Sequence, residues 1–301
     1  MRTERGATNQ SAVGRERRFA EESVESQDGT LIGYRQLGRG PGVVLLHGTM
    51  SSGQNHVELA EALADAFTVY LPDRRGRGLS GSFGTEYSIH KEVEDLDALL
   101  QRTGVRYVFG VSTGGNVSLE AALTLPVRRV AIWEPPLFLD QSVPSAFWTR
   151  TEEEISRGDG AAALVTGMKG AQMGPRIFNF MPRRLLEWLA ARFMASEERK
   201  GTGDYLSMST LAPTLPYDFQ LVVESSGGLD RYRASDAEVL LLGGSRSPAY
   251  LKDALDALER VVPRVERVEF SGLDHAASWN ADRGGKPEPL ARALRAFFAG
   301  S

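Results

Sequence analysis

Val43-Val44-Leu45-Leu46-His47 is an apolar run with no polar alternation, and the chain returns to such runs several times. A strand with one face in water alternates. An unbroken run fits a strand covered on both faces, the condition of a parallel sheet between helical layers. Comparable runs are Phe67 to Leu71, Val105 to Val111, Arg129 to Trp133 and Val239 to Leu242, and Val265 to Phe270 reads as a further strand. Helical patterns separate them: Val57 to Ala66, the face Val93, Leu96, Leu99 and Leu100, Gly115 to Leu125, Ala249 to Val262, and Leu290 to Ala299. This alternation specifies βαβ units with right-handed crossovers. Ahead of them, Glu22 to Ser26 and Leu31 to Leu37 flank Asp28-Gly29, a hairpin signal. The expected fold class is α/β, a mostly parallel sheet flanked by helices.

Residues 137–235 break the rhythm. They show helical patches and no strand signal, hold Met168, Met173, Met181, Met194 and Met208, and carry Phe147, Trp148, Phe178, Phe180, Trp188 and Phe193. The expectation is a helical insertion after the sixth strand, over a core of residues 19–136 and 236–301. Residues 1–18 hold five arginines and, beyond alanine, only Met1 and Val13 as apolar positions. They read as a disordered tail without the apolar run of a secretory signal.

Composition removes several classes. Lys plus Arg is 35 against 39 for Asp plus Glu, a net charge of −4, so no concentrated basic face calls for a nucleic acid. With no cysteine, a disulfide framework, a thiolate nucleophile and a Cys-bound zinc are excluded. No window offers the roughly 18 apolar residues of a membrane span. The protein is expected to be soluble and cytoplasmic, with a small-molecule substrate as partner and no membrane partner. The sequence does not set its oligomeric state.

The chemistry concentrates at Gly110-Val111-Ser112-Thr113-Gly114, a G-x-S-x-G pentapeptide between a buried strand and a helix. That strand–turn–helix setting is what a nucleophile elbow needs. The tight turn strains the serine and leaves no room for side chains two positions away on either side.

Four segments together resemble the α/β-hydrolase fold family, over roughly residues 20 to 300. They are Leu46-His47-Gly48-Thr49, the D-x-R-G-x-G-x-S loop Asp73 to Ser80, the elbow, and Gly272-Leu273-Asp274-His275. The resemblance implies Ser112 as nucleophile and His275, after the last strand, as general base. It implies the backbone amides of Thr49 and Thr113 as oxyanion donors, and a cap formed by the insertion. Of the other histidines, His47 reads as structural or part of the oxyanion loop. His56 and His90 read as surface or capping residues.

The acid is unusual. The place after the seventh strand reads Leu242-Gly243-Gly244-Ser245-Arg246-Ser247-Pro248, with no carboxylate, whereas the sixth strand runs into Trp133-Glu134-Pro135. This resembles zearalenone-type lactone hydrolases, which carry Glu after strand six, and makes Glu134 the expected acid. Asp274 is its rival, and Asp253 and Asp256 are expected to face solvent. The order Ser112, Glu134, His275 is that of the family.

The expected activity is hydrolysis of a carboxylic ester or lactone of a fairly apolar molecule through an acyl-enzyme, with no metal or organic cofactor implied. A perhydrolase or haloperoxidase-like activity, a C–C bond hydrolase, and a ligand receptor on the same scaffold remain open. A dehalogenase or epoxide hydrolase is disfavoured, because Ser112 stands where those carry Asp.

Overall fold

Eight strands form one sheet in the computed structural model, which describes residues 19–139, 145–174 and 176–300. The expected tail, residues 1–18, lies outside them. The hairpin is β1 (Ala20–Glu25) and β2 (Leu31–Gly38), paired from Ala20 opposite Gln36 to Glu25 opposite Leu31. Gly29 at its turn has φ +83°, a conformation that costs glycine nothing.

The other strands are β3 (Gly42–Leu46), β4 (Thr68–Pro72), β5 (Tyr107–Val111), β6 (Arg129–Trp133), β7 (Glu238–Gly244) and β8 (Val265–Phe270). In space the order is β1-β2-β4-β3-β5-β6-β7-β8, and every pair from β4 to β8 is parallel. Val43 to Leu45, Val108 and Phe109, Val130 to Trp133, and Leu241 and Leu242 are buried, as unbroken runs require.

The helices are α1 (Val57–Leu63), α2 (Ile89–Thr103), α3 (Thr113–Thr124), α4 (Ser145–Ser156), α5 (Gly160–Gly170), α6 (Arg183–Lys200), α7 (Met208–Leu211), α8 (Leu215–Ser226), α9 (Ala249–Val261) and α10 (Pro287–Ala299). Each face of the sheet has its own core. Leu59, Leu63, Leu290 and Leu294 of α1 and α10 cover one face, and α2, α3, α8 and α9 cover the other.

From β3 the chain goes to β4 on one side and later to β5 on the other. The carboxyl ends of β3 and β5 therefore flank a topological switch point, where open α/β sheets bind ligands.

Helices α4 to α8 lie between β6 and β7, and the described residues of 137–235 form no strand. Helix α5 packs on α4 and α6, while α8 packs on α2 and α3. The aromatics of this stretch divide. Phe147 meets Phe219 edge-on at 4.6 Å, whereas Phe180, Trp188 and Phe193 are exposed. Among the described residues, no helix is long and apolar enough to cross a membrane.

Candidate active site

Ser112 sits at the carboxyl end of β5 with φ +53° and ψ −122°, as the N-cap of α3. A non-glycine residue there is strained, and its neighbours enforce the strain. The Ser112 amide donates to Trp133 O at 2.8 Å, and its carbonyl accepts from Gly115 N at 2.8 Å. A Cβ on Gly110 would stand 2.4 Å from Gly114 O, and one on Gly114 would stand 2.5 Å from Leu46 O. Both glycines of the pentapeptide are thus required by backbone contact. Ser112 Oγ makes no hydrogen bond to another described residue.

His275 opens a short helical turn, His275–Ser278, after β8. Its Nδ1 lies 2.7 Å from Glu134 Oε2. Glu134 is fully buried at the end of β6, with φ +47°. Its other oxygen accepts from Gly244 N at 2.6 Å, so one carboxylate bridges the histidine and the end of β7. Gly243 is required by Leu255 rather than by the acid side chain, since a Cβ there would lie 2.7 Å from Leu255 but at an ordinary 3.4 Å from Glu134 Oε1. The Glu134 carboxylate thus reaches the end of β7, the place where the sequence carries no carboxylate of its own. Trp133 Nε1 donates to His275 O at 2.9 Å, tying the histidine backbone to the residue before the acid.

Asp274 turns elsewhere, and its Oδ1 accepts from Ala276 N at 3.2 Å as a cap. Asp253 is exposed, and Asp256 pairs with Arg267 of β8.

The loop after β3 lies against the elbow, since a Cβ on Gly48 would stand 2.8 Å from Ser112 Cβ. Arg74 N donates to His47 Nε2 at 2.9 Å. The His47 proton is then on Nδ1, which donates to Gly48 O at 2.9 Å. Ser51 Oγ donates to the same carbonyl at 2.9 Å. In a trans peptide the N–H points opposite to the C=O. Holding Gly48 O toward His47 and Ser51 therefore turns the Thr49 N–H the other way. The Thr113 N–H is among the first amides of α3, which have no partner within the helix.

Asp73 and Ser80 explain the loop motif after β4. Asp73 accepts from Gly53 N at 2.7 Å and Leu79 N at 2.9 Å, and Ser80 Oγ accepts from Gly33 N at 2.9 Å. A Cβ on Gly78 would collide with Asp73 at 2.1 Å. The folded loop directs Arg74 inward beside Thr113, at 3.1 Å. Arg77 is buried and bonds Asp218 Oδ2 at 2.7 Å through Nη2. Its Nε and Nη1 have no partner among the described residues.

His90 is exposed, but the expectation for His56 does not hold. His56 is fully buried, and its Nδ1 donates to Ser278 O at 2.9 Å. Burial lowers its pKa from 6.5 to about 4. Burial also holds His47 well below its ordinary value, helped by the nearby Arg77 and Arg74.

As pH falls below 6.5, the unfolded chain takes up these protons while the folded protein does not. Stability is therefore full above that point and is lost toward about 4. His56 alone should remove about 2 kcal/mol by about pH 5. Urea unfolding checks this, and a midpoint that stays put between about pH 7 and about pH 5 would contradict a neutral buried His56.

Among the described residues, no group of three or more His, Cys, Asp or Glu side chains is arranged to hold a metal ion. Sequence reasoning missed three contributors to the site: Gly244 N, Trp133 Nε1 and Arg74. The doubled glycine at the end of β7 was a signal for the first. Nothing local marked the other two.

A family model for the alpha/beta hydrolase family matches residues 43–293. The cis-3-alkyl-4-alkyloxetan-2-one decarboxylase of Shewanella oneidensis is 24% identical over 265 residues, 83% of this chain and 81% of that protein. Its namesake from Xanthomonas campestris is 23% identical over 93% of this chain and 96% of its own length. Among solved structures, an alpha/beta hydrolase from Sphaerobacter thermophilus is 30% identical with a TM-score of 0.73, over 92% of this chain and all of that one.

Proposed function

We propose, from the premise that this chain belongs to the alpha/beta hydrolase family, that it is a serine hydrolase acting on a carboxylic ester or lactone of a fairly apolar small molecule. The observation that carries this reading is the 2.7 Å contact between His275 Nδ1 and Glu134 Oε2, at the same sheet edge as the strained Ser112. With Nδ1–H donated to the carboxylate, Nε2 keeps its lone pair for the serine proton.

In the first half-reaction, Ser112 Oγ gives its proton to His275 Nε2 and attacks the acyl carbon. The carbonyl oxygen becomes an oxyanion facing the Thr113 and Thr49 amides. Collapse breaks the acyl–oxygen bond, and the leaving alkoxide takes the proton from Nε2. Water then enters by the same route, gives its proton to Nε2, and releases the acid as Ser112 recovers its hydrogen.

The substrate class draws on two supports. The relatives from Shewanella and Xanthomonas are named for an oxetan-2-one, a four-membered lactone carrying two alkyl groups. The carboxylate after β6 is the feature shared with zearalenone-type lactone hydrolases. Residues 137–235 serve as a cap in this reading, over a core of 19–136 and 236–301.

A fluorophosphonate probe with peptide mapping, followed by a panel of alkyl esters and lactones, tests the proposal. The expected result is label on Ser112 and turnover of one substrate class. Failure to label Ser112 overturns the nucleophile. Label without turnover of any ester or lactone overturns the substrate class and leaves the perhydrolase, C–C bond hydrolase and receptor readings.

A further inference from the structure

The Arg74 guanidinium is buried at the carboxyl end of β4, and all five of its N–H groups are used. Nε donates to Glu92 Oε2 at 3.0 Å, and Nη2 donates to Glu92 Oε1 at 2.8 Å and Tyr87 OH at 3.2 Å. Nη1 donates to Asp218 Oδ1 at 3.0 Å and Thr113 Oγ1 at 3.1 Å. A guanidinium only donates, so Thr113 Oγ1 is an acceptor in this bond.

The Thr113 proton must then go elsewhere. Among the described residues, the other side chain bonded to Thr113 Oγ1 is Thr49, with Oγ1 to Oγ1 at 3.3 Å. If Thr113 donates to Thr49, every group in the chain is placed and the Thr49 O–H is left over. If Thr49 donated instead, Thr113 would hold a proton with no side-chain acceptor among the described residues.

We infer that the Thr49 hydroxyl is a third donor to the reaction's oxyanion, set in that role by Arg74 through Thr113. The inference rests on the hydrolase reading above and adds a catalytic side chain to its two backbone amides. Thr49 touches the oxyanion, while Thr113 and Arg74 are positioning residues.

The arrangement suits the task in three ways. Threonine has few χ1 choices. The direction of the relay is imposed by a group that cannot reverse it. Glu92 and Asp218 balance the Arg74 charge, so the relay delivers an aligned donor rather than a loose cation. A donor oriented before the reaction costs no rearrangement when charge appears on the oxygen.

The test is steady-state kinetics on Thr49→Val, Thr49→Ser, Thr113→Val and the double valine variant. Valine keeps the shape and the Thr49 amide. Thr49→Val should lower kcat by about 10²-fold with KM little changed, and Thr49→Ser should restore most of it. Thr113→Val should lower kcat on the order of tenfold, and should cost nothing further once Thr49 is valine. A Thr49→Val enzyme with wild-type kcat overturns the inference, as does an equal loss in Thr49→Ser. Multiplying losses in the double variant overturn the relay. These outcomes need an active wild-type enzyme. A wild type that turns over no ester or lactone counts against the hydrolase reading itself, so the two failures are told apart.

Discussion

Ser112→Ala should abolish turnover, lowering kcat on the order of 10⁶-fold, while the protein stays folded. Two features of the elbow separate these effects. Ser112 Oγ bonds to no described residue, so its removal leaves no protein group unpaired. The strain at φ +53° is a strain of any side chain with a Cβ, and alanine meets it as serine does. The melting temperature should therefore hold while activity disappears, because in the proposed reaction a triad acts as a unit and fails with its nucleophile. Retention of a tenth of wild-type activity would remove Ser112 from the reaction.

Glu134→Gln should cost on the order of 10⁴-fold in kcat, with little change in fold. The two contacts of the carboxylate give the reason. Gly244 N can only donate, at 2.6 Å to Oε1. A glutamine must keep its single carbonyl oxygen there, since its NH₂ would leave two donors facing each other. The NH₂ then faces His275 Nδ1, which must accept. The ring proton moves to Nε2, the atom meant to receive the proton of Ser112. The charge that steadied the imidazolium is lost at the same time. Asp274→Asn is the control. Its contact to Ala276 N at 3.2 Å survives in an amide, so activity should remain near wild type. A Glu134→Gln enzyme no slower than Asp274→Asn would sink the strand-six assignment.

Legibility followed the range of the interaction. The central strands β3, β5, β6 and β7 read well because burial on both faces leaves a mainly apolar run. Ser112 read well because its strain is set by glycines two positions away. Glu134 stood out through an absence, since Gly243-Gly244 occupies the place where a carboxylate was looked for. His56 misled because its partner, Ser278 O, is 222 positions away, and the partner of Arg74 in α8, Asp218, is 144 positions away. No local pattern announces either. The Met and aromatic content of residues 137–235 marked an apolar stretch without its facing. Trp188 and Phe193 lie on the outside of α6, a matter decided by which helices pack on it.

β6 or the residue that follows it touches every member of the proposed triad. Trp133 O accepts the amide of Ser112, Trp133 Nε1 holds the carbonyl of His275, and the next residue is the acid. An acid on a mobile loop can drift from its histidine while the rest of the molecule stays intact. Here the drift is denied, because Trp133 is a fully buried member of a central strand. The spacing of the three groups is thus set from a buried strand inside the sheet. On heating, the contact between Glu134 and His275 should last as long as β6 stays paired within the sheet.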